Sequence, residues 1–176
     1  MSNLASAVEL RLFLELDETE LPDDRADLIL SVVSGLVRDE ADQLFDQVET
    51  DEVVLDGTGT DVLLLPQLPV TDVATVDENG TALVDGTDYD WSTNGVLRRL
   101  NGSWVRRARY YTVTYTHGYA APPDGLKGIV LRVAARIVDN PEGLVQEAIG
   151  GYSAGYRFDP AALNDADKRA LDPYRP

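Results

Sequence analysis

The chain has 176 residues, 44% hydrophobic and 26% charged, with no cysteine and a single histidine. That is the balance of a globular domain long enough to bury a core without covalent staples, and it excludes disulfides, iron–sulfur clusters, thiolate zinc sites and multi-histidine metal centres. The formal net charge is −16, no apolar run nears the roughly 20 residues that span a bilayer, and the start MSNLASAVEL lacks a secretory signal pattern, so cytoplasmic synthesis is expected.

In chain order, residues 3–48 read as helical. Ser2 and Asn3 are placed to cap a short first helix, with Val8, Leu12 and Phe13 on one face. Pro22 suits the first turn of a second helix, and Asp23 and Asp24 favour the positive end of its dipole. Apolar pairs Leu28/Ile29, Val32/Val33, Leu36/Val37 and Leu44/Phe45 then form a wide stripe. Gly35 interrupts it at about 1 kcal/mol relative to Ala; close packing against another helix or tolerated drift would each account for it.

Residues 50–119 read as strands. Asp56-Gly57, Asn79-Gly80, Asp85-Gly86, Asn94-Gly95 and Asn101-Gly102 are turn signals. Val53–Leu55, Val62–Leu65, Val73–Val76, Tyr89–Trp91, Val96–Leu97 and Tyr110–Tyr115 are the strands between them, and Tyr111–Thr116 carries the strongest signal. Pro66 and Pro69 keep Leu68 out of a central strand. An antiparallel sheet or barrel of five or six strands follows.

From Pro122 the helical period returns. Asp124 is placed as a cap, and Leu126, Ile129, Val130, Val133, Ala134, Ile137 and Val138 recur at helical spacing. Asn140-Pro141 ends that helix and opens a short one that Gly150-Gly151 stops. Tyr152–Phe158 reads as extended, and Asn164 as the cap of a last helix, Asp165–Leu171, ended by Pro173. The fold expected is α+β: a small bundle of N- and C-terminal helices (1–49 and 120–149), an inserted antiparallel β-rich domain (50–119), and an extended C-terminal arm with a short terminal helix (150–176).

Charge is segregated. Residues 1–60 hold 16 acids and 3 bases, residues 61–125 hold 8 and 5, and residues 126–176 hold 7 and 7. Without clustered Lys and Arg, tight sequence-reading contact with nucleic acid is not expected. The acidity is a solvated face, or a surface that repels DNA or meets a basic partner. The one basic, aromatic-containing patch, Arg98, Arg99, Arg106, Arg107 and Arg109 around Trp104, fits pairing with acidic surface within or between subunits. Asp39, Glu40 and Asp42 lack the spacing of a calcium loop, and Gly57–Asp61 lacks the lysine of a phosphate loop.

Catalytic chemistry is scarce. His117 has no nucleophile pattern around it and reads as a strand-end residue in a structural hydrogen bond. No catalytic residue, metal site or cofactor is expected. The alternative, a ligand-binding or hydrolytic β-domain, would have to use His117. Gly150–Phe158 mixes glycines, large aromatics and Arg, as in a docking arm or a strap folded back on its own bundle.

The stretches LLLPQLPV (63–70), YTHGY (115–119) with Pro122-Pro123, AAR (134–136), NPEG (140–143) and EAIGGYS (147–153) occur in an order and spacing that resemble the head–tail connectors, or head-completion adaptors, of long-tailed bacteriophages. The resemblance covers nearly the whole chain. It implies a non-enzymatic ring, thought to be a dodecamer, beneath the portal protein. Such a ring extends the DNA channel, passes DNA without specific binding, and docks the next neck or tail-completion protein in the virion. It implies no membrane partner, and monomers are compatible with it before assembly. Carried over by position, it makes Glu147, Ile149, Gly150, Gly151, Tyr152 and Ser153, with Tyr156 and Phe158, a portal-binding arm. Independently of position, the segregation of charge set against such a ring makes the five arginines subunit-interface candidates, and Asp39, Glu40 and Asp42 candidate channel-lining acids. A different neck or tail-completion component is the neighbouring alternative. Pro173 departs from the pattern by truncating the last helix.

Overall fold

The computed structural model describes residues 2–142, 144–149, 152–157 and 159–175. The chain forms two compact units: Met1–Ala41 with Pro122–Pro173, and Asp42–Ala121 with Tyr174–Pro176.

The first unit is helical. Helix α1 (Ala7–Leu14) starts at Ser6, not at Ser2 or Asn3. The Ser6 hydroxyl accepts from Glu9 N while Glu9 returns a carboxylate to Ser6 N at 2.7 Å, a reciprocal cap. The chain ahead is already packed: Leu4 and Ala5 are buried, and Leu4 N donates to Ser34 Oγ at 3.0 Å. The buried residues of α1 are Ala7 and Leu10, whereas Val8, Leu12 and Phe13 are exposed. The three do share one face, as expected, and it is the exposed one.

Helix α2 (Asp23–Ala41) divides its apolar pairs between two rows. Ile29, Val33 and Val37 are buried with Ala26, Leu30 and Ala41, and Leu28, Val32 and Leu36 are exposed. It ends at Ala41, short of Leu44/Phe45, with Asp42 at φ 54. No atom lies within 4 Å of a Cβ placed at Gly35, so close packing does not explain this glycine.

Helix α3 (Asp124–Asp139) packs against both, burying Leu126, Ile129, Val130, Val133, Ala134 and Ala135. Each such burial contributes about 1–3 kcal/mol. Pro123 holds the cap position, and Asp124 lies in the first turn. Helix α4 (Asp165–Leu171) is capped by Asn164, as expected, and docks on α3. Leu171 is buried, and the enclosed Asp167 pairs with Arg136 at 2.7 Å. Between α3 and α4 the chain forms an antiparallel hairpin, not a short helix: Leu144–Ile149 pairs with Tyr152–Arg157.

The second unit is antiparallel β. Numbered with the hairpin as β8 and β9, its strands are β1 (Val48–Leu55), β2 (Val62–Leu64), β3 (Val70–Glu78), β4 (Thr81–Ala82), β5 (Tyr89–Trp91), β6 (Val96–Arg99) and β7 (Tyr111–His117). They form a four-stranded sheet, β1-β7-β3-β4, and a three-stranded sheet, β2-β6-β5. Strand β7 is central and buries alternate residues Tyr111, Val113, Tyr115 and His117, as period-2 geometry requires. With Trp104, Tyr89, Leu97, Val70 and Val76 these build the core. The unit begins ahead of the composition change at residue 50. Gln43 donates to Pro66 O and accepts from Leu68 N, and Phe45 is buried with Tyr174 edge-on at 6.3 Å.

Candidate assembly surfaces

The arginine patch stands on the β unit. The segment before β2 and the loop after β6 run alongside each other. Gly57 N donates to Arg107 O, Gly59 N to Trp104 O, and Trp104 N to Thr60 O. Trp104 locks this pairing: it is fully buried, lies edge-to-face with Tyr111 at 5.0 Å, and donates Nε1–H to Asp61 O at 3.0 Å. Tyr111 closes the loop by accepting from Val105 N at 2.8 Å and donating to Glu78 at 3.1 Å. Burial, above all, raises its phenol above the ordinary tyrosine range.

The five arginines differ in what holds them. Arg99 pairs with Glu78 at 3.1 Å, lies over the Trp104 ring at 5.2 Å, and is only 15% exposed, so it is engaged inside the unit. Arg98 is exposed and pairs with Asp61 at 3.3 Å, a weak contact in water. Arg107 covers the Tyr110 ring at 4.9 Å. Arg106 lies along Gly59, and Arg109 follows at φ 50 with its amide held by Asp56. Among the described residues neither Arg106 nor Arg109 has an ion-pair partner. Leu64, Leu100 and Val105 are exposed large apolar residues of the same unit. Sequence reading placed Leu64 in a strand without marking it as exposed, and passed over Leu100 and Val105, because isolated aliphatics beside turns carry no periodic signal.

His117 is buried in the β unit at the end of β7, with Nε2 3.1 Å from Asp51 Oδ2 and the ring 4.9 Å from that of Tyr115. One surface depression is lined by Asp90, Trp91, Ser92, Val96 and Arg98, and another by residues including Asn3, Glu9, Pro122 and Lys127; His117 lines neither. The ring closes a strand end and is held by one carboxylate.

Of the candidate channel acids, Glu40 pairs with Lys168 at 3.1 Å on the helical unit, Asp39 is exposed on α2, and Asp42 is exposed on the β unit. The arm candidates map onto the hairpin. Ile149 is in register with Tyr152, Glu147 with Ala154, Ser153 with Ala148, and Tyr156 with Val145. Gly150, Gly151 and Phe158 lie outside the described residues. Among the described residues no helix is long and apolar enough to cross a membrane, and no group of His, Asp or Glu is arranged to hold a metal ion.

A family model described as "head completion protein" matches residues 3–134, which span α1, α2, strands β1 to β7 and most of α3. Similar solved chains come from gene transfer agent particles. One is from the virion of the native particle (TM-score 0.56, 16% identity, 98% of this chain and 89% of that one). Another is from the neck of the empty particle computed with C6 symmetry (TM-score 0.54, 15% identity, 98% and 89%). A third is from the neck of the native particle computed with C12 symmetry (TM-score 0.51, 16% identity, 96% and 90%). No curated protein matches by sequence. At these identities the likeness is one of fold. The match over residues 3–134 identifies the lineage: the chain belongs to the head completion protein family and serves as a head–tail connector.

Proposed function

We propose that this chain works as one protomer of a closed, head-to-tail ring, a dodecamer, seated between the portal protein and the next neck or tail-completion protein of a tailed phage. The observation that carries the reading is the family match across both compact units. Chains of the same fold in necks computed with C6 and C12 symmetry support the ring. A protomer in such a ring uses two different faces, one for each neighbour.

The role is structural and calls for no bond-making. The single imidazole is enclosed beside Tyr115 and Asp51. DNA moves through the channel without being gripped, and a net −16 per chain favours that, since like charge lowers phosphate affinity. Asp42, exposed on the β unit, is the acid proposed to face the lumen. The β8–β9 hairpin, Leu144–Arg157, is the proposed portal-binding arm.

The test is co-sedimentation of the purified chain with portal-bearing capsids and, separately, with tail tubes. Association with capsids alone is expected. Association with tails alone would reassign the chain to tail completion. Replacing residues 144–157 by a short Gly-Ser linker keeps α4 in place and should abolish capsid binding; retained binding would reject the hairpin as the arm.

A further inference from the structure

Two exposed apolar surfaces, one on each unit, differ in the sign of the charge around them. On α2 the exposed residues Leu28 (66%), Val32 (49%) and Leu36 (36%) are spaced by four, so they form one line along the helix. The same line starts at Asp24 and ends at Glu40, which pairs with Lys168; exposed Asp39 and Arg25 lie beside it. The turn leading into α2 adds exposed Glu15, Asp17, Glu18 and Glu20. The surround of this apolar row is therefore acidic. On the β unit Leu64, Leu100 and Val105 are exposed; Arg106 and Arg109 follow Val105 with no ion-pair partner among the described residues, while Arg98 pairs with Asp61 and Asp56 holds the Arg109 amide, so the loop that carries Val105 has an excess of base.

Resting on the ring reading above, we propose that the Leu28–Val32–Leu36 row of one copy docks on the arginine-rimmed patch around Val105 and Arg106 of the next copy. The occupant of each face is a second copy of this chain because each face supplies what the other lacks. Aliphatic surface meets aliphatic surface, and acids meet bases across the rim, which fixes register and suppresses wrong pairings. The two faces are different surfaces of one chain, so the contact is heterologous and propagates head to tail until the rotation closes. Three half-exposed aliphatics a side amount to a few hundred Å², well under the roughly 800 Å² per partner of a stable pair. The contact is thus weak between two free chains and holds when the ring engages all its contacts at once. The exposed Val8, Leu12 and Phe13 of α1 have Glu9, Arg11, Glu15 and Lys127 around them, a surround of mixed sign.

The absence of cysteine makes the test clean. The double variant Leu28→Cys with Val105→Cys, bound to portal-bearing capsids, is treated with a bismaleimide about 10 Å long. The expected result is a ladder of cross-linked multimers, absent with either single cysteine. A symmetric ring at the vertex without a ladder, or a cross-link closed within one chain, would overturn this interface and leave the ring reading intact. Failure of the unmodified chain to reach the vertex would overturn both. An independent arm reverses charge: Arg106→Glu with Arg109→Glu should lower incorporation at least tenfold, and adding Asp24→Arg with Asp39→Arg should restore it to within threefold. Loss without restoration would assign those arginines to another partner.

Discussion

His117 Nε2 lies 3.1 Å from Asp51 Oδ2 across a bulge in β1, where the register shifts between Val48 and Asp51 and Thr50 takes φ 52. A bulge re-aims the side chain that follows it, and here that side chain holds the imidazole at the end of β7. His117→Ala removes the hydrogen bond and the ring packed on Tyr115. It should cost about 2–3 kcal/mol, a drop of several degrees in thermal midpoint by circular dichroism. His117→Gln should recover part of it. An unchanged midpoint in His117→Ala would contradict the structural role.

Asp167 ties α4 to α3. One carboxylate accepts from Arg136, caps the helix by accepting from Asn164 N, and sits 3.9 Å from Arg132, with only 4% of its side chain exposed. Asp167→Ala leaves Arg136 without its partner and opens the cap, at about 2–3 kcal/mol. Asp167→Asn should cost roughly half, since the amide oxygen still accepts. Urea midpoints would measure both. Truncation at residue 150 would also strip α4 from α3, exposing the partners of buried Leu171, and so mixes arm loss with unfolding.

Two glycines give opposite outcomes. A Cβ at Gly57 would collide with Val105 O, so Gly57→Ala forces apart the two segments that present Val105 and Arg106. It should cost about 2–3 kcal/mol through overpacking. Gly35, with open space around it in mid-helix, should tolerate Ala and gain about 0.5–1 kcal/mol. Thermal midpoints moving in opposite directions would bear this out.

Much of the fold was legible, for reasons visible in particular residues. Alternation of β-branched and aromatic residues marked β7, Asn-Gly and Asp-Gly pairs bounded the strands, and helical spacing marked α3. The hairpin β8–β9 was not legible: as sequence, a Gly-Gly pair reads equally as a helix stop or as a turn between strands, and only the pairing of the flanking segments distinguishes them. Which face of helix α1 is buried was not legible. It has large apolar residues on one side and Ala7 and Leu10 on the other, and hydrophobicity alone does not say which side has a partner in the same chain. The arginine patch was legible as composition. That Arg99 is taken up by Glu78 and Trp104 depends on pairing across 21 residues, which no local pattern carries.

The tyrosines of the β unit set its alkaline limit. Burial pushes the Tyr115 phenol up to about 12 and raises those of Tyr89, Tyr111 and Tyr119. A phenol that holds its proton more tightly when folded contributes stability that is complete below the unfolded value near 10 and is lost as pH rises toward the folded value. Between pH 10 and 12, loss of β-sheet circular dichroism and growth of tyrosinate absorbance at about 295 nm should therefore proceed together for the buried set. Full tyrosinate formation near pH 10 with the sheet signal intact would contradict the burial.

The central claim is a closed ring of this chain at the head–tail junction, and imaging settles it most directly. The purified protein is added to portal-bearing capsids and the vertex is reconstructed without imposed symmetry. The account predicts a continuous, rotationally symmetric collar under the portal, with one copy of the two-unit chain in each repeat. A bare portal, a single asymmetric copy, or the chain found only along the tail would contradict it.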